Sequence, residues 1–203
     1  KIKNYEILVV DNNSTDKTTK EIQKYLKNKK IKLVKNKKNI FYSGSVGKII
    51  RMSKYKHIGI IDSDRQYSFK DFEKLFLMLR GEKDIIFGFR GKRKDSILRR
   101  FISKIFNYLS FVILESKLKD LNCGIKVLKK PNNFKKLLFK INHANPELYC
   151  LFKSKNKKIG EINVSHKDRN DGKSIHGISN LTKTFFEVLY YFIKLRTYYL
   201  KKN

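Results

Sequence analysis

The sequence of 203 residues predicts an α/β domain with a mostly parallel sheet and flanking helices. Two observations carry this prediction. Short apolar runs of strand length alternate with longer segments of helical periodicity through the first half of the chain. Polar loops rich in Asp, Asn and Ser follow several of the apolar runs. A β–α order of this kind places strands in parallel, with helices on the faces of the sheet.

The elements of the first half can be assigned in order. Continuous apolar runs predict four strands, at residues 5–10, 31–34, 58–61 and 84–89. The segments between them predict three helices, at residues 15–28, 43–53 and 69–79. One loop-like stretch, Gly44-Ser-Val-Gly47-Lys48, resembles a phosphate-binding loop, but Tyr42 and Ile49 stand where that motif needs Gly and Ser or Thr. The stretch is therefore predicted to begin a helix.

The second half is less regular. Residues 96–119 predict a long helix that is apolar and basic together, with an apolar side too broad for an ordinary surface helix. A strand at 122–128, a helix at 145–155, a strand at 159–165 and a final helix are also expected. We predict one domain over residues 1–174 and an amphipathic membrane-associating tail over residues 175–203. Apolar residues mixed with Lys and Arg are typical of helices lying at a membrane interface.

The composition limits the classes of function. The net charge is +30, which fits a nucleic-acid binder or a protein acting on phosphates near an anionic membrane. Only nine of the 48 basic residues are Arg, so much of the charge is read as a compositional bias toward Lys. Because no zinc-ligand pattern or RNA-binding signature accompanies it, no nucleic-acid partner is expected. Two cysteines, Cys123 and Cys150, form no disulfide framework.

Two carboxylates end the third predicted strand. Asp62 and Asp64 follow the apolar run 58–61, and ligands of α/β proteins bind at the carboxyl ends of strands. Neighbouring carboxylates are costly unless a cation lies between them. A hard divalent ion, Mg²⁺ or Mn²⁺, would satisfy both and would also bind a diphosphate. The alternative reading is a solvated turn after the strand.

Arginine is concentrated in one short stretch. Four of the nine arginines, Arg90, Arg93, Arg99 and Arg100, fall within eleven residues. In a chain that otherwise uses Lys, this favours a site that needs the two parallel hydrogen bonds of a guanidinium to phosphate. The alternative is a solvated basic helix face.

Five segments resemble signature motifs of the family 2 glycosyltransferases, which have the GT-A fold. The last three resemble the polyprenyl-phosphate branch of that family, the dolichol-phosphate mannose synthase type. In chain order, the segments are Leu8-Val-Val-Asp11-Asn-Asn-Ser-Thr-Asp16-Lys-Thr; Asp62-Ser-Asp64 with Gln66; Gly88-Phe-Arg90 with Arg99, Arg100 and Ser103; Asp120-Leu-Asn-Cys123-Gly124-Ile-Lys126; and Arg169-Asn-Asp-Gly172-Lys173-Ser174.

The resemblance implies a metal-dependent, inverting transfer of sugar from a nucleotide sugar, of the GDP-mannose or UDP-glucose type, to a polyprenyl phosphate. Metal held by Asp64 and assisted by Asp62 would neutralise the departing nucleoside diphosphate. A lipid phosphate is already ionised, so it needs no general base. The resemblance also implies a peripheral protein at the cytoplasmic face of an anionic membrane. It assigns catalytic roles to Asp64, Arg90, Arg99 and Arg100, and donor-binding roles to Asp11, Asp62, Gln66, Arg169, Lys173 and Ser174.

The sequence also departs from the family pattern. The family opens with a strand before the one equivalent to 5–10, and no counterpart is present here, which predicts an N-terminally incomplete and poorly active domain. Three alternatives stay open: the same fold acting on a saccharide hydroxyl, a catalytically dead paralogue or fragment, and a basic nucleic-acid-binding module.

Overall fold

The computed structural model describes residues 4–91, 97–167 and 181–201. The chain divides into two compact units, and each is described by itself. Among the described residues, the first unit comprises 4–58 and 130–144, and the second comprises 59–91, 97–129, 145–167 and 181–201.

The first unit is built on two parallel strands. Its elements are β1 (Ile7–Asp11), α1 (Thr18–Gln23), β2 (Ile31–Lys35) and α2 (Phe41–Met52). The first of its two chain segments ends within β3 (His57–Ile60). Strands β1 and β2 pair in parallel from Ile7 opposite Ile31 to Asp11 opposite Lys35. Residues Val46 and Ile50 of α2 are wholly or almost wholly buried, so this helix supplies much of the unit's core.

A returning segment, residues 130–144, completes the first unit. It is fixed to the start of α2 by Ser43, whose backbone N–H donates to the Ile141 carbonyl at 3.0 Å. The Ser43 hydroxyl donates to the Phe139 carbonyl at 2.7 Å. Gly47 faces Leu137, and a Cβ at Gly47 would lie 3.2 Å from the Leu137 backbone nitrogen. A small residue is therefore needed where this segment meets α2.

The second unit contains a four-stranded sheet. Its elements after β3 are α3 (Phe69–Arg80), β4 (Ile85–Phe89), α4 (Ile97–Leu114), β5 (Lys126–Lys129), α5 (Asn145–Lys153), β6 (Ile159–Asn163), α6 (Leu181–Leu195) and a π-helix (Arg196–Leu200). The strand order of the sheet is β3-β5-β4-β6, and β4 pairs antiparallel with β5 and parallel with β6. The hydrophobic core of the second unit includes Leu75 and Leu79 of α3, Ile86 of β4 and Val127 of β5.

The C-terminal helices pack into this unit. The Phe106 ring of α4 meets the Phe192 ring of α6 edge-on at 5.1 Å between centroids. The Arg196 guanidinium donates to the Ile113 carbonyl at 2.6 Å and pairs with Glu115 at 3.0 Å. These contacts join α6 and the π-helix to the end of α4.

None of the helices in the described residues combines the length and apolar character that crossing a membrane requires.

The α/β class, the parallel strand pairs and the order of the elements are confirmed, while several boundaries differ. Helix α1 covers only Thr18–Gln23 instead of 15–28, because the following residues form turns. Strand β5 begins at Lys126 instead of 122, because side chains hold residues 120–124 as a loop. Its antiparallel pairing breaks the regular parallel alternation.

Candidate active site

Two carboxylates follow β3, where the second unit's sheet ends. Both Asp62 and Asp64 are partly buried. The turn after them is tight, because Arg65 has a φ of 60°, in the left-handed region that non-glycine residues seldom adopt. The Gln66 backbone N–H donates to Asp64 Oδ1 at 3.3 Å. This turn directs the next side chain, Tyr67, into the core, where it is 8% exposed.

Gly124 makes room for the first carboxylate. A Cβ at Gly124 would lie 2.8 Å from Asp62 Cγ and 2.8 Å from Tyr67 Cε2, closer than real Cβ atoms approach. The Gly124 backbone N–H donates to the Tyr67 hydroxyl at 2.9 Å. The loop before β5 is therefore packed against the turn that carries Asp62 and Asp64, the carboxylate turn.

A lysine is buried beside the same carboxylate. Lys126, the first residue of β5, is 0% exposed. Burial lowers the pKa of its ammonium below the ordinary value, and the Asp62 carboxylate acts in the opposite direction. Asp62 thus interacts with an amine of the protein itself, which leaves Asp64 as the carboxylate better suited to face a metal ion.

The donor set fits a divalent ion that is completed by substrate. Among residues 4–91, 97–167 and 181–201, no three His, Cys, Asp or Glu side chains are grouped to hold a metal by themselves. Mg²⁺ typically takes one or two carboxylates together with water and substrate phosphates. Asp62 and Asp64, with room made by Gly124, match that requirement.

Arg90 does not reach outward from the end of β4. Its Nε donates to Asp120 Oδ2 at 2.6 Å and its Nη2 donates to Asp120 Oδ1 at 2.8 Å. The Arg90 backbone N–H donates to the same carboxylate at 3.2 Å, and Nη2 also reaches the Asn122 carbonyl at 3.4 Å. Burial lowers the pKa of Arg90, but the hydrogen bonds and charge of Asp120 outweigh it and raise the pKa overall. The guanidinium therefore holds the loop that leads to Gly124.

Glu161 of β6 fixes the backbone next to this ion pair. Its carboxylate accepts the backbone N–H groups of Lys119 at 3.0 Å and Asp120 at 2.9 Å. Burial raises the pKa of Glu161 despite these two bonds. Strands β4 and β6 are thereby both connected to the loop.

The remaining predicted residues are placed separately. Arg99 and Arg100 are exposed in the first turn of α4. Gln66 pairs with Lys167, since the Lys167 N–H donates to its carbonyl at 2.9 Å and its side-chain amide donates to the Lys167 carbonyl at 3.2 Å. Three further predicted donor-binding residues, Arg169, Lys173 and Ser174, lie outside the described residues.

Asp11 belongs to the first unit, at the end of β1, and is 3% exposed. Its carboxylate accepts the Ser14 backbone N–H and the Thr19 hydroxyl, at 2.9 Å and 2.8 Å. Burial by itself would raise the pKa of Asp11, but the hydrogen bonds from Ser14 and Thr19 and the nearby Lys35 charge outweigh it and lower the pKa. Asp11 is therefore an ionised, firmly held group.

Three supporting residues were not predicted as site residues: Asp120, Gly124 and Lys126. All three lie in the fourth motif that resembles the family, so the signal was present in the sequence. Their roles depend on contacts across long sequence separations, such as the pair of Arg90 with Asp120. Glu161 carries no local signal, because it reads as a polar residue within a strand.

The chain is similar in sequence to known proteins. The family model for glycosyl transferase family 2 matches residues 1–142. A dodecaprenyl-phosphate galacturonate synthase of Rhizobium johnstonii is 28% identical over 189 residues, covering 91% of this chain and 56% of the relative. A dolichyl-phosphate beta-glucosyltransferase of Dictyostelium discoideum is 31% identical over 140 residues, covering 62% and 43%. The chain thus spans about half the length of these curated relatives.

Solved structures show the same fold. Glucosyl-3-phosphoglycerate synthase from Mycobacterium tuberculosis, in complex with phosphoglyceric acid, superposes with a TM-score of 0.66 at 14% identity, covering 93% of this chain and 69% of that one. The same enzyme with Mn²⁺, UDP-glucose and phosphoglyceric acid gives a TM-score of 0.63 at 12% identity, covering 92% and 68%. The fold is GT-A-like. Because the family model covers residues 1–142 of 203, the chain belongs to glycosyl transferase family 2.

Proposed function

We propose that the protein transfers a sugar from a nucleotide sugar to a polyprenyl phosphate, with a divalent metal ion and with inversion at the anomeric carbon. The observation that carries the proposal is the carboxylate turn after β3, Asp62 to Asp64, in which Gly124 leaves room for Asp62 and Lys126 lies buried beside it. The names of two relatives support the acceptor class, since both are described as acting on a polyprenyl or dolichyl phosphate.

Asp64 would hold Mg²⁺ or Mn²⁺, with Asp62 assisting. When bound, the ion would supply Lewis-acid stabilisation of the negative charge that grows on the leaving nucleoside diphosphate. The structure with Mn²⁺ and UDP-glucose supports a divalent ion for a protein of this fold. In this chain, Asp62 and Asp64 would orient the diphosphate, and Asp11 would contact the nucleoside.

The acceptor would be recognised through its phosphate. Arg99 and Arg100 are exposed in the first turn of α4, where their guanidinium groups can meet a phosphate from outside the unit. The sequence predicts that Arg90 contacts phosphate, but we assign it another role, because its guanidinium already pairs with Asp120 at 2.6 Å. We assign it the task of positioning the loop beside the carboxylates. The ionised acceptor oxygen would then attack the face opposite the leaving group, so no general base is required.

A membrane-associated position suits a lipid acceptor. Large apolar side chains are exposed on both α4 and α6, including Phe101 at 60%, Phe111 at 59% and Phe186 at 64%. Arg99 and Arg100 lie on α4 among these residues. Helices of this composition bind at the headgroup level of anionic membranes. We therefore propose peripheral association at the cytoplasmic face.

The test is a transfer assay with radiolabelled GDP-mannose and UDP-glucose against undecaprenyl phosphate, dolichyl phosphate and simple saccharides. The proposal expects product only with a lipid phosphate and only with Mg²⁺ or Mn²⁺ present. The Asp64→Ala variant should give no product, whereas Glu73→Ala, an exposed carboxylate of α3, should match the wild type. Transfer to a saccharide hydroxyl without lipid phosphate would overturn the proposed acceptor.

A further inference from the structure

A basic pocket lies wholly within the first unit, lined by residues of α2, by the stretch just before it and by the returning segment 130–144. Its volume is about 340 Å³. Six of its eleven lining residues are cationic: Lys37, Lys38, Lys48, Arg51, Lys135 and Lys136. None of the eleven, all of them within the described residues, is Asp or Glu. The carboxylate turn of the second unit contributes nothing to this lining.

Lys48 is held in place at the wall of this pocket. It is half-buried, and its ammonium donates to Asn36 Oδ1 at 2.6 Å. Asn36 is only 3% exposed, and its side-chain amide donates to Asn12 Oδ1 at 3.1 Å. The Ile40 backbone N–H donates to the same Asn12 oxygen at 3.0 Å. Unlike a lysine of the solvated coat, Lys48 therefore presents its charge from a fixed position.

The returning segment reaches this pocket through a close backbone approach to α2. Because Gly47 has no side chain, the backbone at Leu137 comes within the distance at which a Cβ would crowd it, 3.2 Å. This approach brings Lys135 and Lys136 to the same pocket as Lys48 and Arg51. Within the part of the chain that the structure describes, none of these four cations forms an ion pair with a carboxylate.

Converging like charges repel one another, and a bound anion removes that cost. A volume of about 340 Å³ admits a small ligand of one or two phosphoryl groups. We propose that this pocket, lined by residues of the first unit, is a binding site for a compact phosphate-bearing anion of diphosphate size. Lys48 and Arg51 contact the anion from α2, and Lys135 and Lys136 contact it from the returning segment. The site does not depend on the proposed transfer activity.

Isothermal titration of the metal-free protein with pyrophosphate tests the site. The first variant is Lys48→Gln with Arg51→Gln, and the second is Lys135→Gln with Lys136→Gln, two exposed lysines whose loss leaves the Lys48–Asn36 bond intact. Each should weaken binding by about tenfold or more, because each removes two charge-assisted hydrogen bonds. The control is Lys27→Gln with Lys29→Gln, which removes the same charge from an exposed stretch of the same unit.

The control should bind pyrophosphate within about twofold of the wild type, since screened surface charges contribute little. Equal weakening in the control and in the pocket variants would overturn the site, because general attraction to a chain of charge +30 would then explain the binding. An absence of saturable binding by the wild type would overturn it as well.

A second arm separates a soluble anion from a lipid headgroup. Vesicles containing phosphatidic acid are mixed with the wild type and with the Lys135→Gln, Lys136→Gln variant, with and without pyrophosphate. Loss of vesicle binding in the variant, with competition by pyrophosphate in the wild type, assigns the site to a lipid phosphate. Unchanged vesicle binding together with weakened pyrophosphate binding assigns it to a soluble one. If the variant changes neither measurement, the site is overturned.

Discussion

Arg90 and Asp120 form a two-bonded ion pair, with Nε to Oδ2 at 2.6 Å and Nη2 to Oδ1 at 2.8 Å. The Asp120 side chain is 3% exposed and that of Arg90 is 11% exposed. The pair closes a connection from the end of β4 to the loop before β5. The sequence favours Arg90 as a phosphate contact. In the structure, its guanidinium instead pairs with Asp120 and fixes the shape of the loop beside the carboxylates.

Breaking this pair from one side should be costly. Asp120→Ala leaves the Arg90 charge buried without its partner, and we expect it to lower the free energy of unfolding by about 3–5 kcal/mol. Arg90→Met with Asp120→Leu removes both charges and should cost less than either single substitution. Urea denaturation of the single variants Arg90→Met and Asp120→Leu and of the double variant measures the coupling. Additive losses would show that the two side chains do not interact.

Asp64→Ala should abolish metal-dependent transfer without unfolding the protein. The loss in rate should be about a thousandfold or more, because the ion would stabilise the leaving group by several kcal/mol. The Asp62→Ala substitution should lower the rate of transfer less, because the Asp62 carboxylate already interacts with Lys126. Electron paramagnetic resonance of bound Mn²⁺ provides a readout that is independent of activity. Wild-type Mn²⁺ affinity in Asp64→Ala would contradict the metal assignment.

The sequence predicted the α/β class and the carboxylate turn because both depend on local patterns. Apolar runs mark strands, and the two aspartates come directly after one of them. The partner of Arg90 could not be predicted in this way, since a cluster of arginines indicates what the guanidinium groups can bind and not what they meet. Arg90 and Asp120 are 30 positions apart in the sequence, and the fold alone brings them together. The antiparallel pairing of β5 is likewise a tertiary feature with no local pattern.

Gly124→Ala should disturb Asp62 directly. The added Cβ would lie 2.8 Å from Asp62 Cγ and from Tyr67 Cε2, so one of these groups must move. We expect a loss of stability of about 1–3 kcal/mol, together with weaker Mn²⁺ binding. In an Asp62→Ala background the same substitution should cost less, because half of the crowding is gone. Thermal unfolding of the four proteins of this cycle tests the contact, and an unchanged penalty would argue against it.

The low pKa of Asp11 predicts a pH-dependent stability. Because the folded pKa lies below the unfolded value of about 3.9, the carboxylate adds stability above that value, and the contribution is lost as the pH falls through the folded pKa. Thr19→Val removes the hydroxyl that donates to Asp11 at 2.8 Å. Its penalty should therefore be about 1–2 kcal/mol at pH 7 and should shrink as the pH falls through the folded pKa of Asp11.

Urea denaturation at a series of pH values, from pH 7 down to the acid limit of folding, measures this difference. The matched control is Thr15→Val, an exposed threonine of the loop before α1, which should change stability little at any pH of the series. An equal penalty for Thr19→Val at every pH of the series would mean that the hydroxyl does not act through the ionised Asp11.

Membrane association should depend on the apolar faces of α4 and α6. Phe101 and Phe186 are 60% and 64% exposed, so replacing them with Ser removes apolar area without opening the core. Burial of one Phe side chain contributes about 1.5–3 kcal/mol, so each substitution should weaken binding to anionic liposomes about tenfold or more. Phe69→Ser is the control, because that ring is 75% exposed but lies on α3. Flotation across a salt series should show binding that weakens with salt, since cations of both helices contribute. Equal losses for all three variants would show that exposed aromatic area in general, and not this pair of helices, mediates the attachment.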